Sequence, residues 1–304
     1  MLDAIAVLEE ARAGDVQALG DNHSSVADAV RLFAAGGDGA SALELVGRVW
    51  RIWLSRAEID EGSKAAAAAL EAPGASETSI WRTRALYADG VFAFRSGDTT
   101  RSRQRNDEAL RIARETGDVK GECDALTGLA RVALREGRYQ DVVKLALEGR
   151  ERARSSGERE AEAAPLHLHA AGVRLLQRYA DAKDLYLESL ELNRAMGRSG
   201  WVSMEQQNLG WVEIHLGDAD QAAFHFRARD DTAGDDPLAG AWSDLSWAGV
   251  GLLLGDLEQA RWRFAAGTRK LQELGQAPDP DDAFELDWLK GRITGATPSG
   301  GRKR

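Results

Sequence analysis

The chain has a single cysteine, Cys123, among 304 residues. One thiol excludes an internal disulfide framework and any cysteine-based zinc site. Only six prolines occur, which suits long helices. There is no 18-residue apolar run and no signal-peptide pattern, so the expected location is cytoplasmic. The phosphate-cradling pattern GxxxxGK[ST] is missing, as are HExxH and GxSxG. Basic residues are the minority: 39 Lys and Arg face 49 Asp and Glu, for a net charge of −10. That balance argues against nucleic-acid binding by this chain alone and against an anionic membrane surface. What is present is 43% apolar and 29% charged residues, the composition of a globular protein with a large core.

Glycines recur with a fixed period. A Gly-Asp-like dipeptide stands at Gly97-Asp98, Gly137-Arg138 and Gly217-Asp218, and Gly255-Asp256 follows 38 residues after Gly217. Gln177-Arg178 occupies the missing place, 40 after Gly137 and 40 before Gly217. Ala57-Glu58 is a degenerate copy 40 before Gly97. Gly117, Gly157 and Gly197 form a second series, out of phase and also 40 apart. A 40-residue unit therefore divides into two helices, each closed by a glycine in the left-handed conformation. The Asp that follows several of these glycines suits the start of the next helix. Within the first helix one position is always small: Gly90, Ala130, Ala170, Gly210 and Ala248. Twelve residues on stand Ser102, Val142, Ala182, Ala222 and Ala260. Four beyond these are Asn106, Ala146, Tyr186, Phe226 and Phe264, the larger of which are expected to fill the gap to the next hairpin.

The pairs Leu129-Ala130, Leu209-Gly210 and Trp247-Ala248, with their small and aromatic columns, resemble the tetratricopeptide repeat. The longer 40-residue form resembles the C-terminal helical region of bacterial regulators of the MalT/LuxR type and related signal-transduction ATPases. The segments Asn22 to Val30 and Ala42 to Trp50 look like the opening of that region. The resemblance implies an all-α, right-handed superhelical solenoid of about six helical hairpins. The expected organisation is one solenoid over residues 1–291. Within it lie N-terminal helices over 1–38 and repeats over 40–76, 77–116, 117–156, 157–196, 197–236 and 237–276. A capping helix over 278–291 has Phe284 and Trp288 facing inward, and a disordered tail covers 292–304. Residues 1–19 read as a single amphipathic helix.

In such a solenoid the first helices line a concave groove. Taken from the small position, residues at −3, +1 and +5 share one stripe. Tyr87, Arg131, His167, Gln207, Trp211 and His215 fall on it, with Asn208 and Asp124 beside it. Rings mixed with amide, imidazole and guanidinium donors suit peptides, carboxylates or amphipathic small molecules. Trp is plentiful, with nine copies. Trp201, Trp242, Trp247 and Trp262 read as interhelix packing and Trp211 as a groove residue. Residues 101–160 are the basic part of the chain, holding 14 basic and 12 acidic residues. Arg101, Arg103, Arg105, Arg150, Arg152 and Arg154 read either as a solvated outer face or as a docking stripe for an acidic partner.

No catalytic residue, metal ligand or cofactor is expected. His167 and His169 stand two apart and diverge on a helix, and Cys123 reads as a small buried residue. His215 and His225 flank a turn with no further ligand cluster. The aspartates at 230, 231, 235 and 236 and those at 279, 281 and 282 lack the alternating spacing of a calcium loop. Three functions stay open. The first is a scaffold binding a protein segment or peptide in bacterial regulation or complex assembly. The second is a small-molecule sensor, implied by the resemblance to MalT-type regulators. The third is an unusual biosynthetic enzyme or accessory protein using the groove as its pocket.

Overall fold

The computed structural model describes residues 2–14, 19, 23–234, 236–275 and 278–295. Among them are fifteen α-helices, one short 3₁₀ helix and no strand. The helices are α1 (Leu2–Ala13), α2 (His23–Ala35), α3 (Gly39–Ser55), α4 (Ile59–Glu71), α5 (Ile80–Arg95), α6 (Thr99–Thr116), α7 (Val119–Arg135) and α8 (Tyr139–Ser156). The 3₁₀ turn (Arg159–Glu162) leads into α9 (Ala163–Leu175), α10 (Tyr179–Ala195), α11 (Ser199–Leu216), α12 (Ala219–Ala233), α13 (Pro237–Leu253), α14 (Leu257–Glu273) and α15 (Pro280–Thr294). The chain forms two compact units. Unit 1 is Met1–Val132 with Leu145–Pro165, and unit 2 is Ala133–Lys144 with Leu166–Arg304.

The periodic glycines end the helices as their spacing predicts. Gly97, Gly117, Gly137, Gly157, Gly197, Gly217 and Gly255 all have φ between 66° and 85°. Asp98, Asp218 and Asp256 then cap the next helix, each accepting from the backbone N–H three residues on. The two non-glycine members of the series adopt the same strained backbone. Ala57 has φ 58° and Gln177 has φ 61°. A side chain in this region costs roughly 1–2 kcal/mol, partly offset by the extra chain entropy that glycine loses on folding. Ala57→Gly and Gln177→Gly are therefore each expected to stabilise the chain by roughly 0.5–1 kcal/mol. Urea unfolding of the two variants checks this, and a lowered midpoint in both would mean that neither backbone is strained.

The first helix is shorter than its sequence suggests. It ends at Gly14, which has φ 83°, rather than running to residue 19. Residues 15–18 of that expected helix lie outside the described residues, as do Asn22, Asp235 and the expected tail from residue 296. The last helix extends past 291 and closes at Gly295.

The small column is buried throughout, and the residue sixteen places on packs against it. A Cβ at Gly210 would lie 2.3 Å from Phe226, and one at Gly90 would lie 2.6 Å from Asn106. Phe226 thus fills the notch in its own first helix and shares a buried cluster with Ala241, Leu245 and Ala248 of the next hairpin. Asn106 also lies beside Gly128 of α7, where an added Cβ would come within 2.1 Å. Polar Asn serves there because its amide donates to the Ser102 carbonyl one turn back, at 2.7 Å. Cys123 is buried, and its Sγ donates to the Gly149 carbonyl at 3.3 Å. Burial, with Asp124 and Glu122 nearby, pushes its thiol up to about 12. At neutral pH it is a packing residue and not a thiolate nucleophile.

Candidate functional site

In unit 1 the first helices α3, α5 and α7 bring four side chains into one run. Tyr87 of α5 is edge-on to Trp50 of α3, with ring centroids 5.6 Å apart. Its hydroxyl accepts from Arg131 Nη1 of α7 at 3.2 Å. At the other end the guanidinium of Arg51 lies 4.3 Å from the Trp50 ring centroid. The run is therefore guanidinium, indole, phenol, guanidinium. Both rings are well buried, Arg51 is exposed and Arg131 is half-buried. Among the described residues neither Arg51 nor Arg131 has a carboxylate partner. Asp124 does not supply one. It pairs with Lys120 one turn earlier on α7, at 2.5 Å.

That lack of partners sets the two apart from the arginine-rich second helices. Arg105 pairs with the fully buried Asp89 at 2.7 Å, and Arg101 contacts the same carboxylate. Arg150 and Arg154 share Glu162 at 3.0 and 2.6 Å, while Arg152 reaches Glu122 at 2.8 Å. These arginines are clamps between neighbouring elements within unit 1. They are neither a plain solvated face nor a free docking stripe. A planar guanidinium suits such work because it can bind a carboxylate through several donors at once.

In unit 2 the stripe residues are engaged differently. His167 of α9 meets Glu205 of α11 at 3.1 Å, and Ser189 Oγ donates to the same carboxylate at 2.6 Å. The His167 ring is also edge-on to Trp201, 5.6 Å away. Gln207 Nε2 donates to Ser246 Oγ of α13 at 3.0 Å. Asn208 turns back onto its own helix and donates to the Met204 carbonyl at 3.0 Å. It is buried there, so it does not present its amide to a peptide backbone.

Trp211 is also not a surface residue. It is 1% exposed, edge-on to Phe226 at 5.6 Å. The reason lies in the next repeat. Gly249 of α13 has no side chain, and a Cβ there would lie 3.2 Å from the indole. The large ring fills the space that the glycine leaves. Of the other tryptophans expected in the core, Trp201, Trp242 and Trp247 are half-buried. Trp262 is largely exposed, with the Arg263 guanidinium 5.7 Å from its ring centroid.

His215 is covered by the last helix. Its Nε2 lies 2.8 Å from Glu285 of α15, and its ring stacks on Tyr179 at 4.4 Å. Trp288 and Phe284 of α15 surround it, at 5.1 and 5.8 Å. Glu285 also pairs with Arg174 of α9, which is fully buried. Elsewhere in unit 2, His225 is bound to Gln206 Oε1 at 2.6 Å, and burial holds its pKa below the usual imidazole range.

Trp50, Arg51 and Arg174 are absent from the sequence-based stripe. Arg51 stands 80 residues before Arg131, so the same register reaches it. The signal was hidden because the small position one repeat earlier is occupied by Trp50 itself. Arg174 stands one place off the stripe and meets its partner 111 residues later.

No protein-family model matches the chain. No curated protein matches it either. Solved structures do. A Rap protein complexed with competence and sporulation factor has a TM-score of 0.61 at 13% identity, over 89% of this chain and 81% of that one. NprR in complex with its cognate peptide NprX has a TM-score of 0.61 at 13% identity, over 97% and 85% of the two chains. A tetratricopeptide repeat protein from Parabacteroides merdae has a TM-score of 0.57 at 13% identity, over 95% and 100%. At these identities the likeness is one of fold, and the fold is the all-α helical repeat of tetratricopeptide type.

Proposed function

We propose that the chain is a non-catalytic scaffold that binds an acidic segment of a protein or peptide on the first-helix face of unit 1. The observation that carries this reading is Arg131. It is anchored at one nitrogen by the Tyr87 hydroxyl and has no carboxylate partner among the described residues, where most arginines are paired. Its remaining donors suit a carboxylate arriving from outside. Trp50 and Tyr87 give such a ligand rigid apolar area, and Arg51 extends the positive charge one repeat further. The likeness to NprR supports a peptide ligand, because that protein was solved with one. A role in bacterial regulation or complex assembly follows from the same reading.

The test uses random dodecapeptides displayed on phage and selected on the immobilised full chain. The enriched peptide is then titrated by fluorescence polarisation. Enrichment of Asp and Glu is expected. Arg131→Ala is expected to weaken binding by on the order of thirtyfold, about 2 kcal/mol, with an unchanged melting temperature. Peptides without carboxylates, held equally well by Arg131→Ala and Arg51→Ala, would refute the assignment.

A further inference from the structure

The last helix does more than close the last hairpin. A helix that only capped α13 and α14 would need contacts with those two elements. Beyond those contacts, α15 sends Glu285 to Arg174 on α9 and to His215 on α11. Asp281 reaches the same arginine, at 3.4 Å. Among the described residues, both carboxylates that pair with Arg174 belong to α15. Trp288 stands edge-on to His215, and Leu289 is fully buried in the core of unit 2. The pattern of Asp281, Glu285, Trp288 and Leu289 is i, i+4, i+7, i+8, the signature of an amphipathic helix seated on other helices.

The face beneath is built as a receptor for such a helix. Arg174 is a cation 1% exposed, and its Nε has no partner even with α15 in place. Among the described residues no carboxylate outside α15 pairs with it, so its charge is matched by an acidic helix lying across α9 and α11. Buried ion pairs of this kind add little net stability, because desolvation offsets attraction. The seat therefore selects its occupant by charge more than it holds it.

We propose that the face of unit 2 under α15 is a docking site for an acidic amphipathic helix of a partner protein, and that α15 is its built-in competitor. A helix tethered by a short stretch of chain acts at an effective concentration of roughly millimolar. An incoming helix must overcome that, so the site is closed at rest and opens to a partner that binds better. This inference concerns unit 2 and stands independently of the unit 1 site.

The probe is a fluorescein-labelled synthetic peptide of residues 278–295, titrated against the full chain. Glu285→Lys in the chain places a lysine against Arg174 and is expected to release α15. That variant is expected to bind the peptide at least tenfold more tightly than the wild type. A peptide that itself carries Glu285→Lys is expected not to bind. Arg131→Ala, added to the Glu285→Lys chain, is expected to leave the affinity unchanged. Equal binding by wild type and Glu285→Lys, or loss of binding in the Arg131→Ala combination, would overturn the proposal. Hydrogen exchange on the unaltered chain keeps it testable if Glu285→Lys does not fold. Amides of 280–294 are expected to exchange at least tenfold faster than those of α11 and α13. Equal protection in all three helices would make α15 a fixed part of the core and end the proposal.

Discussion

Trp211→Ala is expected to lower the stability of the chain by about 3–5 kcal/mol, the usual loss when a fully buried large aromatic is removed. The ring has no alternative place to go. Phe226 meets it on one side, Gly249 lies against it on another, and Ile214 belongs to the same cluster. Alanine leaves a cavity bounded by α11, α12 and α13, and Gly249 has no side chain to collapse into it. The far-UV melting midpoint should fall by several degrees. A midpoint unchanged within error would return Trp211 to the surface and undo the packing described for unit 2.

Gly210→Leu is expected to cost toward the upper end of the ~1–3 kcal/mol range for overpacked cores. Even a Cβ there would lie 2.3 Å from the Phe226 ring, and a leucine adds three more carbons in the same direction. Phe226 is fully buried and cannot swing out. Shrinking the ring should relieve part of the clash. The double variant with Phe226→Ala is thus expected to be more stable than the sum of the two single losses allows. Simple additivity in urea unfolding would show that the two positions do not touch.

Several levels of this structure are legible in the sequence, for different reasons. The turns are local. A glycine past a helix end and an Asp after it encode their own conformation, and the 40-residue spacing carries the fold. Gln177 and Ala57 show the strength of that code, since both take the left-handed backbone without the residue that prefers it. Which residues share a face is also local, and Tyr87 and Arg131 follow from register alone. What register cannot give is how much room the neighbouring repeat leaves. Trp211 stands on the stripe by count, but Gly249 in the next repeat makes a hole for it. The meeting of Arg174 and Glu285 depends on where the chain returns 111 residues later, which no periodicity records. The arginines of α6 and α8 mislead in another way. Their charge is visible in the sequence, but their partners Asp89, Glu122 and Glu162 lie on other elements.

The central claim places a ligand on the first helices of unit 1, and hydrogen exchange on the complex with the selected acidic peptide tests it most directly. Bound peptide is expected to slow exchange in α3, α5 and α7 around Arg51, Tyr87 and Arg131, and to leave α6 and α8 unchanged. Protection confined to α6 and α8, with none in α3 and α5, would contradict the claim and move the interface to the paired arginines of the second helices.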